Sequence, residues 1–181
     1  SPSLYSLAGG LVGGSSVGSI SASYAIGNVY TYSSLASSRG GGLTGFSGSS
    51  ISDSYATGNA YASSSSSSSS SEVYAGGLVG YNNSRGSITN SYSAGNVSAY
   101  FSSSSSSEVY AGGLVGDINN SSSISNSYYY SKATIDGGTK TSYGKALTTD
   151  QMTGTGEGRA TEKMEGFKDS GNWDFNEDGN G

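Results

Sequence analysis

Small, apolar and polar positions recur in a fixed order along the first 130 residues. Each unit opens with Gly-Gly-Leu-Val-Gly, reaches an Ile flanked by Ser or Thr, then Ser-Tyr, then Gly-Asn. Copy one has Gly9, Gly10, Leu11, Val12 and Gly13, then Ile20, Ser23 and Tyr24, then Gly27 and Asn28. Copy two has Gly41, Gly42, Leu43, Thr44 and Gly45, then Ile51, Ser54 and Tyr55, then Gly58 and Asn59. Copy three has Gly76, Gly77, Leu78, Val79 and Gly80, then Ile88, Ser91 and Tyr92, then Gly95 and Asn96. Copy four has Gly112, Gly113, Leu114, Val115 and Gly116, then Ile124, Ser127 and Tyr128, with Tyr129 and Tyr130 replacing Gly-Asn. From Gly10 to Gly42 is 32 residues, from Gly42 to Gly77 is 35 and from Gly77 to Gly113 is 36. That period belongs to stacked repeat proteins.

Gly and Ser at this density disfavour helix, and Val, Ile and Tyr alternate with small polar residues as strand positions do. The pattern predicts an all-β fold, a parallel β-solenoid of about four coils with three short strands per coil. Coil handedness is expected to be right-handed, as in parallel β crossovers. Repeats are placed at residues 8–35, 40–71, 72–107 and 108–130 within a solenoid domain of 1–130, followed by a short-helical, irregular segment at 131–181. Stacking at about 4.8 Å per coil aligns equivalent side chains in ladders. Leu11, Leu43, Leu78 and Leu114 form one inward ladder, and Ile20, Ile51, Ile88 and Ile124 a second. Tyr24, Tyr55, Tyr92 and Tyr128 form a third, of stacked rings. Gly27 with Asn28, Gly58 with Asn59 and Gly95 with Asn96 read as corners, because both residue types tolerate positive φ. The Ser runs at 63–71 and 102–107 read as solvated loops leaving one face.

Composition sharpens this. Only 33% of the 181 residues are hydrophobic, with 30 Gly and 15 Tyr against four Phe and one Trp, so Tyr is expected to do much of the packing. The chain has no Cys and no His, which removes disulfides, thiol and imidazole catalysis and the commonest transition-metal ligands. No Ser is singled out as a nucleophile, and Asp53 and Asp117 lack repeat-equivalent acids that could pair for polysaccharide cleavage. A non-enzymatic role follows. The net charge of −5 without a Lys/Arg cluster argues against nucleic acid, and no apolar run approaches a membrane span. Fifteen of the 21 charged residues lie beyond Tyr130, which marks the boundary between the two regions.

The fourfold Gly-Leu-x-Gly unit resembles the GLUG motif of large bacterial surface and adhesin-like proteins. The Ser-Tyr-Tyr, Ala146 to Met152 and Trp173-Asp174-Phe175 segments are similar to the stretch that closes such arrays. The resemblance implies an extracellular, cell-surface repeat scaffold, often adhesive, with no catalytic residues to carry over. Thr148 to Gln151 fits a capping box ahead of Met152, and 160–165 reads as a second short helix. With Leu147, Met164, Phe167, Trp173 and Phe175, these helices would cover the open end of coil four. Asp174, Asn176 and Asp178 match the first half of a calcium loop; a solvated acidic terminus is the alternative, and no other cofactor is expected. Asn82, Asn96, Asn119 and Asn120 stand in Asn-x-Ser sequons. The functional expectation is an extracellular structural or adhesive protein, associating end to end as a fibre subunit or through neighbouring repeats of the same protein. The alternative is a carbohydrate-binding module whose exposed Tyr30, Tyr32, Tyr61 and Tyr100 stack on cell-surface glycans.

Overall fold

Each repeat folds into one coil of five short strands, in a computed structural model that describes residues 5–102, 108–153, Met164 and Phe167. Coil one comprises β1 (Tyr5–Gly9), β2 (Val12–Ser15), β3 (Ser19–Ser21), β4 (Tyr24–Ala25) and β5 (Val29–Ser33). Coil two comprises β6 (Ser37–Gly41), β7 (Thr44–Ser47), β8 (Ser50–Ser52), β9 (Tyr55–Ala56) and β10 (Ala60–Ser64). Coil three comprises β11 (Glu72–Gly76), β12 (Val79–Asn82), β13 (Ser87–Thr89), β14 (Tyr92–Ser93) and β15 (Val97–Phe101). Coil four comprises β16 (Glu108–Gly112), β17 (Val115–Ile118), β18 (Ser123–Ser125), β19 (Tyr128–Tyr130) and β20 (Ile135–Asp136). A closing turn follows, with β21 (Thr139–Thr141) and β22 (Lys145–Leu147), and then α1 (Thr149–Thr153).

Equivalent strands pair in parallel and build five sheets along the axis, ordered β1-β6-β11-β16-β21, β2-β7-β12-β17, β3-β8-β13-β18, β4-β9-β14-β19-β22 and β5-β10-β15-β20. The fold is thus an all-β parallel solenoid. Its coils have five strands rather than the three expected, because the chain bends at Leu and again one residue before the Ser-Tyr pair. Coils one and two also start earlier than the repeats were placed, at Tyr5 and Ser37, and the stack continues past residue 130 through β20, β21 and β22.

The core has two lobes. Lobe one is enclosed by the second, third and fourth sheets and holds Leu43, Leu78, Leu114, Ile51, Ile88, Val79 and Val115. Lobe two lies between the first and fifth sheets and holds Val73, Val97 and the small Ala62, Ala75, Ala99 and Ala111. In the first coils the second lobe turns polar, where Ser38 donates to Thr31 at 3.1 Å and Ser6 pairs with Thr31 at 2.9 Å.

The two ends differ. After β21 the chain skips the second and third sheets and crosses directly to the fourth, so the closing turn lies over lobe one. Thr141 Oγ1 donates to the Val115 and Gly116 carbonyls, both at 2.8 Å, and Tyr143 packs on the lobe while its hydroxyl donates to Asp117 at 3.1 Å. Gly144, at φ +86°, passes so close to Leu114 that a side chain there would collide with it. Thr148 and Gln151 form the reciprocal hydrogen bonds of a capping box ahead of α1. Leu147, Met164 and Phe167 bury Tyr128 in a third cluster. At the other end, Leu11 is 47% and Leu7 39% exposed, whereas Leu43, Leu78 and Leu114 are fully buried. The Leu ladder is therefore inward in three coils and open to solvent in coil one.

Candidate functional site

The repeated signature works as a steric and hydrogen-bonding corner. A Cβ on the first glycine (Gly9, Gly41, Gly76 or Gly112) would fall on the carbonyl oxygen three residues ahead. A Cβ on the second would strike the next coil's backbone at Gly10, Gly42 and Gly77, and the Tyr129 ring at Gly113. On the last, at Gly45 and Gly80, it would lie 2.5 Å from a neighbouring carbonyl. Between these glycines the Leu side chain turns inward while its carbonyl turns toward the preceding coil. There it accepts two N–H groups at once: the Leu43 carbonyl from Leu11 and Val12 (3.0 and 3.2 Å), the Leu78 carbonyl from Leu43 and Thr44 (2.9 and 3.1 Å), and the Leu114 carbonyl from Leu78 and Val79 (2.8 and 3.1 Å). Thr44, which departs from the Val pattern, is fully buried and donates its hydroxyl to the Phe46 carbonyl at 2.9 Å.

The GLUG motif family matches residues 71–98, which run from the start of β11 into β15. Coil three therefore matches the GLUG motif. The same glycine-leucine corner in the other three coils is consistent with a GLUG-repeat region. No curated protein and no solved structure matches the chain.

Two side-chain ladders stitch the coils together beyond the backbone. In the first, the N–H groups of Ser23, Ser54 and Ser91 donate to the Oγ atoms of Ser54, Ser91 and Ser127 at 3.2, 3.2 and 3.3 Å. Each Oγ donates in turn to the carbonyl two residues back, at 2.7 to 2.8 Å. In the second, the N–H groups of Asn59, Asn96 and Thr134 donate to the Oδ1 atoms of Asn28, Asn59 and Asn96 at 2.9, 2.9 and 2.8 Å. These Gly-Asn positions do form the corner between the fourth and fifth strands, but not through positive φ. Asn is there to bridge coils, and Gly58 and Gly95 are there because a Cβ would strike the preceding coil's glycine carbonyl. Positive φ falls instead at Ala22 (47°), Asp53 (50°), Asn90 (48°) and Asn126 (45°), one residue before each Ser of the ladder. Three of the four are Asp or Asn, the non-glycine residues that best accept this conformation, and their common phase was a readable signal.

The Ile ladder points into lobe one, with Ile51 and Ile88 fully buried and Ile124 half-buried under the closing turn. The Tyr ladder lies on the outside, because in β4 and β9 it is Ala25 and Ala56 that face the core. Tyr24, Tyr55 and Tyr92 stack with centroids 5.2 and 5.0 Å apart, and Tyr128 is buried edge-on against Phe167 at 5.6 Å. Burial pushes the Tyr92 phenol up to about 12, with Tyr55 adding to the shift. Much of the inner packing thus falls to Ala, Leu, Ile and Val rather than to Tyr.

A second aromatic cluster, unforeseen in the sequence, fills the outer angle between the first and second sheets. Arg39 takes the ladder position of Tyr74 and Tyr110, and its guanidinium lies 4.0 Å from the Tyr5 ring centroid, 4.5 Å from Tyr81, and 5.4 Å from both Phe46 and Tyr74. It is buried and its Nε has no hydrogen-bond partner, so ring faces stabilise the cation.

Of the sequons, Asn82 is fully buried and donates to the Gly86 carbonyl, which leaves no room for a glycan. Asn96 and Asn120 are exposed and Asn119 is half-buried. The first Ser run is a solvated loop only over Ser67 to Ser70, which are exposed; its two flanks pack inward. Ser64, Ser66 and Ser71 are buried, with Ser64 donating to the Ala36 carbonyl and Ser71 to Ser66 Oγ, both at 2.8 Å. The calcium-loop residues Asp174, Asn176 and Asp178, the segment at 103–107, Trp173, Phe175 and all but Met164 of the second short helix lie outside the described residues. Among the described residues no group of acidic side chains is placed to hold a metal ion, and no helix is long and apolar enough to cross a membrane.

Proposed function

We propose that the chain is a structural segment of an extracellular adhesive protein, and that its working surface is the outer edge of coil one, where a further parallel coil of the same repeat stacks. The observation that carries this reading is the set of groups which that edge presents. The Leu11 carbonyl occupies the place where the later Leu carbonyls each accept two N–H groups, yet among the described residues none is seated on it. Ser23 Oγ stands where Ser54 Oγ accepts an N–H, and the Asn28 N–H stands where the Asn59 N–H finds an amide oxygen. Beside them Leu11, Tyr24 and Tyr30 are 47%, 59% and 67% exposed. A coil carrying Leu, Ser and Asn in phase meets all of these requirements together.

The tail of a second copy does not fit as well, since its closing turn already pairs with β16 and β19 and crosses lobe one between them. This argues for a repeat coil as the occupant rather than head-to-tail fibre growth. The extracellular, adhesive setting rests on the GLUG resemblance. Of the Tyr that would stack on sugars, Tyr30 and Tyr61 each give one ring face to the other, and the hydroxyls of Tyr32 and Tyr100 are already bonded to Ser65 and Asp136, which favours the scaffold over a carbohydrate-binding module.

Fusing a copy of residues 37–71 ahead of Tyr5 tests the reading. Burying the Leu11 side chain alone contributes about 1 kcal/mol, and edge pairing adds to it. The fusion should melt higher than the parent, and the same fusion with Asp in place of the added coil's Leu should not. No gain from the matched coil would refute the edge as a stacking surface. Concentration-dependent light scattering from the parent at the same strength as from a variant ending at Asp136 would refute the role given to the closing turn.

A further inference from the structure

Along the outside of the fifth sheet, the register of β5, β10, β15 and β20 aligns Tyr30, Tyr61, Ser98 and Asp136. The first two are phenols with ring centroids 4.8 Å and planes 4° apart, a closer stack than Tyr24 with Tyr55 at 5.2 Å, Tyr55 with Tyr92 at 5.0 Å or Tyr74 with Tyr110 at 5.4 Å. The pair is also the least confined. Its next neighbour in the column is the small Ser98, and Tyr30 is 67% exposed, whereas Tyr92 is packed against Phe167 and Tyr74 is buried.

We propose that Tyr30 and Tyr61 are a modification site at which a peroxide-driven one-electron oxidant, of the haem peroxidase class, couples the two rings to dityrosine. Each phenol gives up one electron and its hydroxyl proton. The phenoxyl radicals carry spin on their ortho carbons, which parallel in-register strands set one above the other. A carbon–carbon bond joins one ortho carbon of each ring, and the hydrogen displaced from each moves to its ring oxygen, restoring two phenols. The product has lost two hydrogens, and one hydrogen peroxide takes them up in becoming two waters. Solvent exposure admits the oxidant and leaves the rings room to tilt into the bond.

The link joins coil one, whose strands pair on one side only among the described residues, to coil two. A chain without Cys has no disulfide with which to make such a tie. The inference stands on the ring pair alone and does not depend on what stacks on coil one.

The test treats dilute full-length chain with horseradish-type peroxidase and hydrogen peroxide, then reads dityrosine fluorescence and maps cross-linked peptides by mass spectrometry. The expected result is an intramolecular species joining the peptides of residues 30 and 61 and lighter by two hydrogens. Tyr30→Phe, which keeps the ring stack but cannot form the second radical, should lose most of the fluorescence, and Tyr32→Phe should retain it. Links found mainly between molecules or at Tyr24 and Tyr55, or fluorescence unchanged in Tyr30→Phe, would overturn the assignment.

Discussion

Replacing Ser91 by Ala removes one oxygen that serves two buried groups. Ser54 and Ser91 are both fully buried; the Ser54 N–H donates to Ser91 Oγ at 3.2 Å, and that Oγ donates to the Thr89 carbonyl at 2.8 Å. In the Ala variant the Ser54 N–H is orphaned out of reach of solvent, at a cost of about 1–3 kcal/mol, and losing the Thr89 bond adds about 1 kcal/mol. The expected loss is therefore about 2–4 kcal/mol. Ser127→Ala should behave alike, since its Oγ receives the Ser91 N–H at 3.3 Å. Ser23→Ala is the internal control. Its Oγ makes the same 2.8 Å bond to the carbonyl two residues back, but it is half-buried and receives no N–H from another described coil, so water replaces it for less than about 1 kcal/mol. Urea unfolding followed by far-ultraviolet circular dichroism measures the series, read as a shift in midpoint at constant slope. Equal losses for Ser23→Ala and Ser91→Ala, or a loss below about 1 kcal/mol for Ser91→Ala, would refute the idea that the hydroxyl column stabilises the stack by serving buried amides.

Three further outcomes are expected. Ala22 holds the positive φ that its counterparts meet with Asp or Asn, so Ala22→Asn should stabilise by about 1 kcal/mol in thermal melts, while Asn90→Ala should destabilise by a similar amount. Because burial raises the folded-state Tyr92 phenol from its ordinary 10.0 to about 12, its contribution is fully present below pH 10 and lost as pH rises through 12. That contribution is about 2–3 kcal/mol, and Tyr92→Phe should flatten the fall in urea midpoint across this range. Deleting 64–70 should cost more than about 2 kcal/mol, measured by the same unfolding curves, because it removes the buried hydroxyls of Ser64 and Ser66 together with their hydrogen bonds.

How much of this could be read from the chain depended on whether a feature repeats. Leu78, Ile88 and Tyr92 recur in phase with their counterparts, and periodicity alone assigned them to stacked ladders and a parallel solenoid. Periodicity does not say which side of a strand faces inward when Tyr alternates with Ala, so the outward turn of Tyr55 was not legible, whereas Ala56 behind it would have been the better core marker. The Ser ladder was legible as a position but not as a role, since Ser54 and Ser91 recur in phase before Tyr while nothing in a Ser-rich chain says that their oxygens lie over buried amides. Arg39 and the closing turn occur once each. A singular residue in a repeating column, and a turn that leaves two sheets out, have no partner in the sequence against which to be recognised.

That closing turn gives the stack a direction. Every boundary between coils one and four is the same joint, a Leu carbonyl with two amides and a Ser and an Asn bridging, whereas the boundary after coil four is made once, by Thr141, Tyr143 and Gly144. A whole coil inserted or lost at any of the interchangeable joints leaves both of its new neighbours with familiar surfaces, and the terminus is untouched. Length is then free to drift by duplication or deletion of single repeats, in steps of about 4.8 Å along the axis, without any compensating change elsewhere. A molecule built this way can be tuned in reach as a ruler is, by counting, while the residues that end it stay fixed.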